Sequence, residues 1–231
     1  MQAIILAGGL GTRLRPVTIN IPKCMVPING KPFLLYLLNL LKIHGIENVL
    51  LCIGYLGEQI EIYFGDGSKL GLNINYSREN KELLGTGGAL KLAEGLMENT
   101  FWVINGDTYL DIDYQKIWRI FADSYKKSLI VAYPCDSRER GDLAIDTKFN
   151  VTRYEKSNND NLGYVNAGAL ILQKEVVSWI ETGRHVSLEK EIFPLVIQRN
   201  AMAAYITPTS FFDIGTFSTW KGFSKYIQEY R

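Results

Sequence analysis

Residues 3–14 read Ala3-Ile4-Ile5-Leu6-Ala7-Gly8-Gly9-Leu10-Gly11-Thr12-Arg13-Leu14, and the chain soon reaches Ile21-Pro22-Lys23-Cys24-Met25-Val26-Pro27. The opening apolar run has the length of a buried first strand. Three glycines in the next four positions remove Cβ atoms where a backbone must pass close to a ligand. Successive N–H groups of such a turn can face phosphate oxygens. Arg13 adds a planar fork of donors and Lys23 a mobile point charge. Glycines, Arg and Lys together read as a cradle for a polyphosphate. A Walker loop is excluded, because no G-x-x-x-x-G-K-[ST] string occurs. A dinucleotide fingerprint fits badly. It needs a third glycine where Leu14 stands, and an acidic residue where the chain offers Gly54-Tyr55.

Outward from this loop, strand and helix patterns alternate. A helix is predicted from Lys31-Pro32 through His44, stopped by Gly45, with Pro in the first turn. Asn48–Ile53 and Asn73–Ser77 read as strands, and Glu58–Phe64 as a helix between them. Leu84-Gly85-Thr86-Gly87-Gly88-Ala89 is a second glycine cluster, expected as a strand-to-helix turn before a helix over Leu90–Met97. Glycine there would let a flat base lie against backbone. Phe101–Ile104 is a strand that delivers Asn105-Gly106-Asp107, and Tyr114–Tyr125 is an amphipathic helix. Strands separated by helices imply right-handed crossovers and a mostly parallel sheet. Ligands bind such sheets beyond the carboxyl ends of the strands. With a triphosphate there, Asp107 is a natural Mg²⁺ ligand.

The second half is richer in strands: Ser128–Pro134, a hairpin of Leu143–Asp146 with Val151–Glu155, Tyr164–Ile171 and Met202–Thr207. Arg138–Asp142 and Ser157–Asn161 read as polar surface loops. Ser187–Glu191 opens a helix with a capping pattern, and Phe211–Thr216 leads into a last helix over Phe217–Tyr230. No linker is visible, so residues 1–231 are read as one domain, and β-rich insertions of this kind commonly build the second-substrate half of an α/β site.

A net charge of +1 gives no wide nucleic-acid footprint. The three scattered cysteines form neither a disulfide framework nor a metal spacing, which suits a reducing cytoplasm. No basic segment precedes the first apolar run, so no signal peptide is read. The longest apolar stretch, Phe33–Leu41, is far short of a membrane span. His44 and His185 have no nucleophile beside them and read as structural or surface groups; Cys24 reads as a packed thiol. What remains, cations, carboxylates and glycine loops, suits phosphoryl-type transfer by positioning and charge neutralisation.

Gly8-Gly9-x-Gly11-Thr12-Arg13-Leu14-x-Pro16-x-Thr18, with Pro22-Lys23-x-Met25-x-Pro27 and Lys31-Pro32, resembles the signature of the sugar-1-phosphate nucleotidylyltransferases. Leu84–Ala89, Asn105–Asp107, Glu155-Lys156, Asn166-Ala167-Gly168 and Asp213-Ile214-Gly215 extend the resemblance in order along the chain. Cys24 departs from it, since many members carry Pro there. The length is similar to that of the short members without a C-terminal β-helix.

The resemblance implies a Rossmann-like α/β fold of the nucleotide-diphospho-sugar transferase type, a mostly parallel sheet flanked by helices with a β-rich sugar-binding part, residues 1–125 mainly nucleotide-binding and 126–231 mainly sugar-phosphate-binding. It implies attack of a sugar 1-phosphate on the α-phosphorus of a nucleoside triphosphate, with Mg²⁺ as cofactor and no general base. Arg13 and Lys23 would be catalytic. Leu6, Ala7, Gly8, Gly9, Gly11, Thr12, Glu79, Gly85 and Thr86 would hold the nucleotide. Asp107, Glu155, Lys156, Asn166 and Gly168 would hold the sugar phosphate, and Asp107 with Asp213 the metal.

Within the family the chain is most similar to guanylyltransferases acting on D-glycero-D-manno-heptose 1-phosphate, with mannose-1-phosphate guanylyltransferases close behind. GTP is therefore the favoured nucleotide, with Glu79 or backbone near Gly85 accepting from the guanine edge. A uridylyl-, thymidylyl- or cytidylyltransferase acting on another hexose 1-phosphate stays open. The expected partners are these two substrates and a further copy of the chain, with no nucleic acid and no membrane. The product would feed lipopolysaccharide, capsule or S-layer glycan, among which the sequence does not choose. Two other classes stay open: a glycosyltransferase using Asp111-Ile112-Asp113 as its metal motif, and a non-catalytic regulatory binder.

Overall fold

Alternation along the first strands builds two cores at once. The computed structural model describes residues 1–79, 82–135, 141–155 and 162–230. Its sheet strands are β1 (Gln2–Leu6), β2 (Asn48–Ile53), β3 (Asn73–Arg78), β4 (Thr100–Asn105), β5 (Ser128–Pro134), β6 (Leu143–Ile145), β7 (Val151–Tyr154), β8 (Tyr164–Gln173) and β9 (Met202–Ile206). Successive side chains point to opposite faces of a strand. Ala3, Ile5, Leu51, Trp102 and Ile104 therefore enter one core, and Ile4, Leu50, Phe101 and Val103 the other.

The first core is closed by α1 (Phe33–Ile43), α2 (Gly57–Phe64), α4 (Tyr114–Ala122) and α7 (Phe217–Tyr230). The second is closed by α3 (Gly85–Leu92), α5 (Lys174–Ser178) and α6 (Phe193–Gln198). In α1, Phe33, Leu34, Leu37, Leu38, Leu40 and Leu41 are all buried. Trp102 and Tyr114 meet edge to face at 5.0 Å, a geometry that adds about 0.5–1.5 kcal/mol beyond area burial.

The path through the sheet is β7-β6-β8-β4-β1-β2-β3, with β5 and β9 continuing outward from β8. β4, β1, β2 and β3 are mutually parallel, so the connection from β1 leaves to one side and β4 lies on the other. Such a reversal opens a crevice beyond the strand ends. The sheet turns antiparallel at β8, which pairs with both β4 and β5. The register of β8 slips between Asn166 and Leu170, where Gly168 has φ +81° and donates its N–H to Asn166 Oδ1 at 2.9 Å. The Asn-Ala-Gly string is thus a β-bulge.

Several expected boundaries shift. Lys31-Pro32 does not begin α1 but pairs with Pro27-Ile28 in a two-residue ladder. The helix expected over Leu90–Met97 is instead α3, and it begins inside the glycine cluster. A single turn, Glu94–Leu96, follows it. α4 ends at Ala122 rather than Tyr125. Lys156, the Ser157–Asn161 turn and residues 138–140 of the charged loop lie outside the described residues. No described helix is long and apolar enough to cross a membrane.

Candidate active site

The long connection from β1 to α1 folds back on itself at Gly11. That residue has φ +60°, and a Cβ there would stand 3.0 Å from Thr18 Cγ2 and 3.1 Å from Lys23 Cβ. Thr18, fully buried, donates its hydroxyl to the Gly11 carbonyl at 2.8 Å. Leu14, Cys24, Met25 and Val26 anchor the two arms in the core. Between these anchors Arg13 and Lys23 are turned to the same side.

Asp107 arrives from β4. Gly106 makes this possible: its N–H donates to the Leu6 carbonyl at 3.0 Å, and a Cβ would stand 2.7 Å from that oxygen. Asp213, 106 positions later, is brought beside Asp107 by a two-residue ladder that pairs Thr108-Tyr109 with Phe212-Asp213. The Lys23 ammonium bonds the Asp107 carboxylate and stands 3.9 Å from Asp213 Oδ1. Asp213 also accepts from the Gly215 N–H. The Arg13 guanidinium lies against Gly215, where a Cβ would sit 2.7 Å from Nη2. Two cations and two carboxylates therefore share one end of the site. Burial, and then the charge of Asp107, raise the Asp213 carboxyl above its ordinary value, while Lys23, the Gly215 N–H and Arg13 pull it back.

A cleft of about 420 Å³ runs from this cluster across the ends of β1, β2 and β4 to Glu79, just beyond β3, within the roughly 300–1,000 Å³ of small-molecule sites. Leu6, Ala7, Gly8, Gly9, Gly11, Thr12, Arg13, Lys23, Glu79, Gly85, Thr86 and Asp107 all line it. At the far end the Glu79 carboxylate is wedged against Gly8 and Gly54, where added Cβ atoms would stand 2.5 and 2.9 Å from Oε2. Its other oxygen accepts from the Leu84 N–H at 2.6 Å. Burial raises its carboxyl above the ordinary value, against the opposing pull of the Leu84 N–H and His185.

Gly85 and Thr86, expected to hold the nucleotide, both line this cleft. The second glycine cluster makes room for the chain itself. A Cβ on Gly87 would stand 2.9 Å from Val186 Cγ1, and one on Gly88 2.6 Å from the Arg184 carbonyl oxygen. The Gly87 N–H donates to the Val186 carbonyl at 2.8 Å, so this segment straps the first turn of α3. Thr86 lines the cleft, but its hydroxyl is committed to protein: it accepts from the Leu188 N–H at 2.8 Å and donates to Glu189 at 3.0 Å.

Cys24, Cys52, Leu83, Ala89, Asn105, Gly106, Glu189 and Gly215 also line the cleft and were not singled out as site residues. Gly106 and Gly215 stand in motifs whose carboxylates were. Glu189 lies 103 positions from the Thr86 it bonds, so only the tertiary fold reveals it. Burial pushes both cysteines up to about 12, so neither is a thiolate nucleophile at neutral pH.

The sugar-side residues are placed differently. Gly168 packs on Thr108, the neighbour of Asp107, with a would-be Cβ 2.7 Å from Thr108 Oγ1. Asn166 spends its side-chain oxygen on the bulge. Glu155 pairs with Arg153 at 2.5 Å. Glu155, Asn166 and Gly168 do not line the cleft. The alternative metal motif dissolves as well: Asp111 pairs with His44 Nε2 at 3.0 Å, and Asp113 caps α4 by accepting from the Lys116 N–H at 2.8 Å.

Comparison with known proteins agrees with this geometry. The model of the family described as nucleotidyl transferase matches residues 2–229. The D-glycero-alpha-D-manno-heptose 1-phosphate guanylyltransferase of Aneurinibacillus thermoaerophilus is 36% identical over 100% of both chains. That of Campylobacter jejuni is 38% identical over 93% of this chain and 95% of its own. The crystal structure of HddC from Yersinia pseudotuberculosis complexed with GMP-PN superposes with a TM-score of 0.83 at 33% identity, covering 98% of this chain and 99% of that one. Matched over residues 2–229 by the family model and over its whole length by a 36%-identical relative, this protein belongs to the nucleotidyl transferase family.

Proposed function

We propose that this protein transfers GMP from GTP to D-glycero-α-D-manno-heptose 1-phosphate, releasing pyrophosphate. One observation carries the reading: Arg13, Lys23 and Asp107 line one end of a cleft, with Asp213 beside them 3.9 Å from the Lys23 ammonium, and the Glu79 carboxylate lines the other end. In this reading the triphosphate lies at the cluster and the base at Glu79. A guanine edge carries N1–H and N2–H donors, and a carboxylate is their natural acceptor. The heptose relatives match this chain over nearly its whole length, which supports the sugar.

In the reaction an oxygen of the sugar phosphate forms a bond to the α-phosphorus as the bond to the β-bridging oxygen breaks. The electron pair leaves with pyrophosphate. Arg13 would neutralise the departing pyrophosphate and Lys23 the α-phosphoryl oxygens; donors fixed before the reaction need no reorganisation during it. A sugar phosphate is largely dianionic at neutral pH (second pKa about 6), so no residue is needed to deprotonate it. Asp107 and Asp213 form a pair of oxygen donors suited to Mg²⁺, which takes one or two carboxylates and completes its shell with phosphate and water oxygens. When bound, the ion supplies further positive charge to the phosphates. Glu155, Asn166, Gly168 and Lys156 are assigned to the sugar phosphate. The three cysteines, none in a disulfide among the described residues, suit the reducing cytoplasm in which such a reaction would run.

The test is a pyrophosphate-release screen of GTP, UTP, dTTP and CTP against heptose, mannose, glucose and N-acetylated hexose 1-phosphates. The proposal expects the highest kcat/KM for GTP with the heptose. A preference for a pyrimidine triphosphate would overturn the base assignment, and a preference for mannose 1-phosphate the sugar assignment.

A further inference from the structure

The geometry points to the C-terminal helix α7 as the strut that sets the spacing of the two cations and Asp213, with Trp220 and Asn29 as positioning residues. This rests on the guanylyl-transfer reading above. The 26-residue connection between β1 and α1 has two arms, one carrying Arg13 and the other Lys23; α7 bonds the second, and the residues leading into α7 lie against the first. Just ahead of its first turn, Gly215 lies against the Arg13 guanidinium and donates to Asp213. One turn into the helix, Trp220 Nε1–H donates to the Pro27 carbonyl at 3.0 Å, four residues beyond Lys23.

Further along, Asn29 Nδ2 donates to the Ser224 carbonyl at 3.1 Å, while Asn29 Oδ1 accepts from Gln228 Nε2 at 3.1 Å. Asn29 has φ +48°, a conformation Asn tolerates better than most residues, so its side chain is held facing the helix. The strut is itself rigid. Phe223 is fully buried and packs edge to face on Phe33 at 5.1 Å, beside Tyr109 and Phe212 of the ladder that carries Asp213.

All three side-chain bonds are solvent-facing. Exposed bonds of this kind contribute little to global stability. They span 193 to 199 positions of sequence, however, and they tie residues 27 and 29, four and six positions beyond Lys23, to the helix. A misplacement of about 1 Å at a reacting centre can cost as much as a hundredfold in rate.

The experiment compares wild type, Trp220→Phe and Asn29→Asp by pyrophosphate release, thermal melting and amide exchange of residues 24–31. Tyr55→Phe is the control, since it deletes a bond from Tyr55 Oη to the Ile19 carbonyl on the same loop, away from α7. Trp220→Phe and Asn29→Asp should each lower kcat about tenfold. KM for GTP should stay within about twofold, melting should barely move, and exchange should quicken in residues 24–31 alone. The inference is overturned if kcat stays at wild type in both variants, if kcat falls only together with melting temperature, or if Tyr55→Phe lowers kcat equally. Should wild type release no pyrophosphate, the functional reading fails instead. Amide exchange then still decides whether α7 holds the Lys23 arm, because unchanged exchange in both variants would refute it.

Discussion

The two glycine clusters look alike in sequence and differ in whether they leave any space open. At residues 8–11, would-be Cβ atoms on Gly8 and Gly11 meet Glu79, Thr18 and Lys23, but Gly9 has nothing within 4 Å and leaves space open in the cleft. At residues 85–88, added Cβ atoms would meet the strap at residues 184–186, so the space is already filled by the chain. Glycine marks a close approach of backbone; it does not say whether a ligand or another segment approaches. The flanking residues separate the cases. Arg13 and Lys23 flank the first cluster and face the carboxylates, whereas the neighbours of the second are mostly apolar and feed the core.

The sharpest way to break this contrast is to remove a charge beside the first cluster. Arg13→Ala or Asp107→Ala should lower kcat by about 10²–10³ with the fold retained, measured by pyrophosphate release and circular dichroism. Turnover within tenfold of wild type would mean that the phosphates lie elsewhere.

Alanine in each cluster should then give crossed outcomes. Gly88→Ala drives a methyl to 2.6 Å from the Arg184 carbonyl and should cost about 1–3 kcal/mol of stability in urea unfolding. Its KM for GTP, on the folded protein, should stay near the wild-type value. Gly9→Ala should leave the unfolding midpoint unchanged and raise KM for GTP several-fold.

The smallest effect concerns pH. Burial holds the Glu79 carboxyl above its ordinary value. Folding therefore favours its protonated form, and stability falls as pH rises from the ordinary glutamate range through the raised value. Glu79→Gln keeps an acceptor for the Leu84 N–H and should flatten that slope in urea titrations across pH 4–7, while weakening selection for GTP. An unchanged slope would place its origin in another group.

Much of the fold was legible because it rests on local patterns. The bounds of β2, β5 and α7 are those read from Asn48–Ile53, Ser128–Pro134 and Phe217–Tyr230. α3 was misplaced because glycines disfavour a helix by about 1 kcal/mol each, and the Val186 strap that overrides this is remote in sequence. The nucleotide side was legible for a related reason: successive parallel strands end at one edge, so motifs just after β1, β3 and β4 must meet. Glu189, the Thr86 hydroxyl bonds and the α7 strut depend on contacts across about a hundred residues or more, and no local pattern announces them.

The most direct measurement is a crystal structure with GTP and Mg²⁺. The account predicts the guanine against Glu79, the triphosphate between Arg13 and Lys23, and the ion on Asp107 and Asp213. A triphosphate bound away from both cations, or a metal held by neither carboxylate, would contradict it.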